Sequence, residues 1–157
     1  MKARILAAAV VSALSLGFGA TALAAADHGA AHALESHRLT LDHGRKWGTD
    51  EALRRGMGEI RAALESRRAG ISASSLRAPE YQALAGTVES QVAYIVANCK
   101  LPPAADENLH VVVAELVAAA GAMKGTSTAD AARGARRAIG AANAYGKHFD
   151  HPGWRSL

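Results

Sequence analysis

The chain has 157 residues, half of them hydrophobic and a fifth charged, with a formal net charge of +4 and a single cysteine. Its basic residues are scattered (Arg54, Arg55, Arg67, Arg68, Arg136, Arg137) and never interleaved with aromatics, which argues against a nucleic-acid groove. Cys99 alone allows no internal disulfide, and the lack of a C-x-x-C-H run excludes covalent c-type haem attachment.

Taken in chain order, Lys2 and Arg4 precede an apolar run from Ile5 to Leu16 and small residues ending Ala22-Leu23-Ala24. That is the pattern of a secretory signal peptide, residues 1–24, and implies a periplasmic protein. The run is short for a membrane span and no stop-transfer segment follows, so no membrane anchor is expected. Losing Lys2 and Arg4 lowers the formal charge from +4 to +2 and leaves roughly 130 residues, the size of one domain.

Residues 25–48 are rich in His and Gly (His28, His32, His37, His43) and weakly patterned, which predicts a mobile arm or irregular lead-in. Four helices are expected within 49–157. The first is capped by Thr49 or Asp50, carries Leu53, Met57, Ile60 and Leu64 at seam spacing, and stops near Gly70. The second begins at Pro79 and aligns Leu84, Val88, Val92, Ile95 and Cys99.

The third follows Pro102-Pro103, has Asp106 and Glu107 in its first turn, and runs Leu109, Val113, Leu116, Ala120 and Met123 before Gly125. The fourth has cap candidates Thr126-Ser127-Thr128 and an inner face of Ala135, Ile139, Ala142, Gly146 and Phe149, ending at Pro152-Gly153. Short connections make neighbouring helices antiparallel, so the expected fold is all-α, an up-down-up-down four-helix bundle. One pole would then gather Trp47, Met57, Cys99, His110, Tyr145, His148, His151 and Trp154, with the two tryptophans capping the core or forming a lid.

The segments Leu53-x-x-x-Met57-x-x-Ile60-x-x-x-Leu64, Leu109-His110 and Asn143-Ala144-Tyr145 resemble the small periplasmic four-helix-bundle b-type cytochromes and the related cytochrome c-prime-like bundles. That resemblance implies haem held between a methionine on the first helix and a histidine on the fourth. Met57 falls on the methionine position. The histidine position is Gly146, and His148 lies two residues on, rotated to nearly the opposite helix face.

Read from the residues themselves, Met57, Cys99 and His110 combine thioether, thiolate and imidazole, a donor set suited to Cu(I) before Zn(II). His28 with His32, and His148 with His151, form two further imidazole pairs near the ends of the chain, although Gly29 weakens any helix at the first. No nucleophile motif, P-loop or H-E-x-x-H pattern is present, so an enzyme is not expected. The leading expectation is a metal-binding protein, copper favoured, for storage, delivery or protection. The alternatives are a haem-binding electron carrier using Met57 with His148 or His110, and a cofactor-free module that binds another periplasmic protein.

Overall fold

A computed structural model describes residues 38–157 apart from residue 126. Residues 1–24, where a signal peptide is expected, and His28, His32 and His37 lie outside the described residues. What is described is all-α, and its helices follow from caps and apolar spacing. Asp50 caps α1 (Glu51–Ser66), its Oδ1 accepting from the Leu53 amide at 2.7 Å. The residues at steps of four, three and four, Leu53, Met57, Ile60 and Leu64, are fully buried.

The first expected helix does not run unbroken to Gly70. It breaks at Arg67, and a short α2 (Arg68–Ala73) follows, closed by Ser74 in the left-handed region at φ 52°. Gly70 lets the Leu76 side chain fold directly over it, in space a Cβ would occupy. The chain then enters α3 (Ala78–Asn98), where Glu80 accepts from the Arg77 amide at 3.0 Å and Pro79 sits in the first turn.

Two prolines start α4 (Pro103–Met123). At α5 (Thr128–His148), the Ser127 hydroxyl accepts from the Asp130 amide at 3.1 Å. The expected stripes need two corrections. On α4, Val112 and Ala119 are buried while Val113 is only half-buried. On α5, Ala138 is buried and Ile139 half-buried, because this helix meets the others through Ala131, Ala135, Ala138 and Ala142.

Contacts between distant residues show how the helices meet. Gly56 on α1 faces Ile95 on α3, Lys124 after α4 pairs with Glu89 on α3, and Arg137 on α5 holds Glu115 on α4 through two hydrogen bonds. At one end, Asp50 Oδ2 accepts from the Lys100 amide at 2.5 Å, joining the start of α1 to the end of α3. Thr49 Oγ1 donates to the Asp150 carbonyl at 2.6 Å, bringing in the end of α5.

Of the expected lead-in only residues 38–48 are described; they are irregular and anchored to the helices. The Thr40 amide donates to Asn108 Oδ1 at 2.8 Å, and a tight turn at Asp42–Arg45 uses His43 and Gly44 at positive φ. Trp47 then forms a parallel bridge with Phe149. Among the described residues, no helix is long and apolar enough to cross a membrane.

Candidate functional site

Where α3 ends and α4 begins, Cys99 caps one helix and His110 stands two turns into the next. The five residues from Cys99 to Pro103 form a tight connection, so both side chains line one groove of about 240 Å3, walled by Ile95, Val96, Leu109 and Val113, with Asp106 at its rim. His110 Nδ1 lies 2.8 Å from the Asp106 carbonyl oxygen. A carbonyl only accepts, so Nδ1 carries the hydrogen and Nε2 keeps a free lone pair, the arrangement found in metal-binding imidazoles.

The Asp106 carboxylate stands 3.5 Å from the same ring nitrogen. The Cys99 thiol is half-buried, and burial, with Asp50 and Asp106 nearby, holds its pKa above the ordinary thiol value. It is therefore a protonated thiol at neutral pH. Sequence reading assigned Asp106 only to the helix dipole. Its spacing of four from His110 was the available signal that the two share a face.

Met57 is placed elsewhere. It is fully buried in the apolar core with Leu53, Ile60 and Leu64, and it does not line the groove. Among the described residues, no group of three or more His, Cys, Asp and Glu side chains is assembled to hold a metal ion. Cys99 and His110 are thus the donors the fold brings together, in an open groove.

The other family-type haem positions, Gly146 and His148, lie in the last turn of α5. Gly146 is buried because the Trp154 indole packs directly onto its Cα, in space any Cβ would need. His148 Nδ1 donates to the Ala144 carbonyl at 2.8 Å, and its own carbonyl accepts from Trp47. Tyr145 and Phe149, both fully buried, stack at 5.2 Å and fill the interior beside them. Trp47 and Trp154 each pack on this core, Trp154 against Tyr145 and His151.

Sequence reading did not foresee how Tyr145, His151 and Arg54 come together. The Tyr145 hydroxyl and His151 Nδ1 are 3.0 Å apart. Burial holds the phenol well above its ordinary pKa, and burial followed by the nearby Arg54 charge holds the His151 imidazole below 6.5. The unfolded chain therefore binds this proton more readily than the folded one, so stability is complete above the unfolded value and is lost as pH falls through the folded one. Urea midpoints should fall from pH 7 to pH 5, and fall less in His151→Gln; an identical profile in the variant would clear His151 of that role. Glu80 and Glu115, held below the usual carboxylate value by hydrogen bonds from Arg77 and Arg137, act only in a more acidic range.

No family model, curated protein or solved structure matches this chain.

Proposed function

We propose that the chain is an exported helical protein that binds a soft metal ion, copper(I) first, through Cys99 and His110, for storage, delivery or protection. The observation that carries this reading is the shared groove: a thiol and an imidazole with a free Nε2 lie on one wall system, with a carboxylate beside them. Sulfur with imidazole nitrogen favours Cu(I), then Zn(II), over hard cations. Binding displaces the thiol proton, and the Asp106 charge that disfavours a bare thiolate then favours the cation.

In this reading the four long helices make an antiparallel up-down-up-down bundle. Two contacts at each junction support it, Gly56–Ile95 with Asp50–Lys100, Glu89–Lys124 with Cys99 and His110 in one groove, and Glu115–Arg137 with Ala119–Gly134, since residue numbers rise along one helix as they fall along the next. Residues 1–24 act as the signal peptide that delivers the bundle to the periplasm. A second reading, a module that binds another protein, draws on Val96 at 64% and Val117 at 50% exposure, on the two helices that form the groove.

Elemental analysis with a visible spectrum, on secreted protein purified without chelators or a His-tag, separates these readings. Stoichiometric copper in a protein without a haem spectrum is the expected result. Iron with an intense band that shifts on reduction would replace copper by haem, on Met57 with His148 or His110. An absence of metal, colour and uptake of either copper or haemin would leave the protein-binding module.

A further inference from the structure

A second groove, of about 400 Å3, lies between α1 and the segment that follows α5, and Arg61, Glu65, His151, Trp154 and Arg155 line it. That volume is within the range of about 300–1,000 Å3 typical of small-molecule sites. Its polar groups are fixed by the fold. The buried Tyr145 hydroxyl and His151 Nδ1 are hydrogen-bonded at 3.0 Å, which holds the imidazole at the groove wall.

Arg61 Nε donates to the Arg155 carbonyl at 2.5 Å, which pins the Arg61 side chain to the C-terminal segment. The nearest approach of its terminal nitrogens to Glu65 is 4.0 Å, beyond hydrogen-bond reach, so those N–H groups remain available. Arg155 supplies a second guanidinium. The Trp154 ring is held edge-on to Tyr145 at 4.9 Å and 72°, and Leu157 closes the segment with two hydrogen bonds to Asn143.

We propose that this groove binds a small organic carboxylate, its anionic end on the guanidinium groups of Arg61 and Arg155 and a planar apolar body against Trp154. Two guanidinium charges against one carboxylate, Glu65, leave a single positive charge, which matches a monoanion; the same Glu65 repels a phosphate dianion. The indole asks for an apolar body that inorganic anions lack.

The test is calorimetric titration of the full chain with benzoate, benzyl alcohol and inorganic phosphate. Benzoate should bind saturably below about 10 mM, where the other two do not. Arg61→Gln and, separately, Arg155→Gln should each weaken benzoate at least about tenfold, with unchanged helical circular dichroism in at least one of them. Cys99→Ala should leave benzoate binding intact, which keeps this site distinct from the metal groove. Equal binding of benzyl alcohol, binding of phosphate without benzoate, no saturable benzoate binding, or full benzoate affinity in both arginine variants would each overturn the proposal.

Discussion

Gly134→Ala lowers the free energy of unfolding by roughly 2 kcal/mol in urea titrations, while Gly140→Ala on the same helix raises it by about 0.5–1 kcal/mol. A Cβ at position 134 would stand 2.7 Å from the Ala119 carbonyl oxygen, 2.8 Å from the Met123 amide nitrogen and 2.9 Å from the Ala122 Cβ. Two of those atoms are α4 backbone, which cannot rotate aside as a side chain does. The helices must separate, and the alanines that let them approach lose their contacts. Alanine gains about 1 kcal/mol of helix propensity over glycine, which offsets only part of the strain. At Gly140 nothing lies within 4 Å, so the propensity gain stands alone. Equal effects at the two positions would contradict the close α4–α5 approach.

Tyr145→Ala is expected to cost roughly 3–5 kcal/mol, a large part of a small domain's stability of about 5–15 kcal/mol. Tyr145 is fully buried, stacks on Phe149 at 5.2 Å and 16°, and meets Trp154 edge-on at 4.9 Å. Removing the ring leaves a cavity where α5 joins the C-terminal segment, and Trp154 loses the surface that holds it over Gly146. Tyr145→Phe keeps the packing and removes only the hydrogen bond to His151, at about 1 kcal/mol. Thermal unfolding followed by tryptophan fluorescence measures both. Similar losses in the two variants would mean that the hydroxyl, rather than the ring, holds this corner.

These two sites also mark where the sequence was legible. Asp50 and Ser127 were readable as caps, and the seam of Leu53, Met57, Ile60 and Leu64 was readable as core, because large apolar residues stood out against polar neighbours at helical spacing. On α5 that contrast is missing: with alanine on several faces, spacing could not separate Ala138 from Ile139, and only the packing of α4 decides. The break at Arg67 carries no Gly or Pro signal.

Of the candidate donors, Cys99 and His110 were readable as neighbours because a five-residue turn fixes their separation. Met57 was grouped with them by its pole alone, and its seam position takes it into the core. Arg61 and Arg155 could not be paired from sequence. The fold-back that joins them depends on a turn at Pro152-Gly153, with Gly153 at φ 79°, whose direction no periodicity encodes.

The most direct test of the proposed metal site is a Cu(I) titration against a coloured competing chelator, using the wild type, Cys99→Ala, His110→Ala and Met57→Leu. The expected result is one tight site in the wild type, weakened at least about tenfold by either groove substitution, a loss of about 1.4 kcal/mol or more, and unchanged by the volume-conserving change in the core. Wild-type affinity in Cys99→Ala, or a loss confined to Met57→Leu, would contradict copper binding by the Cys99–His110 groove.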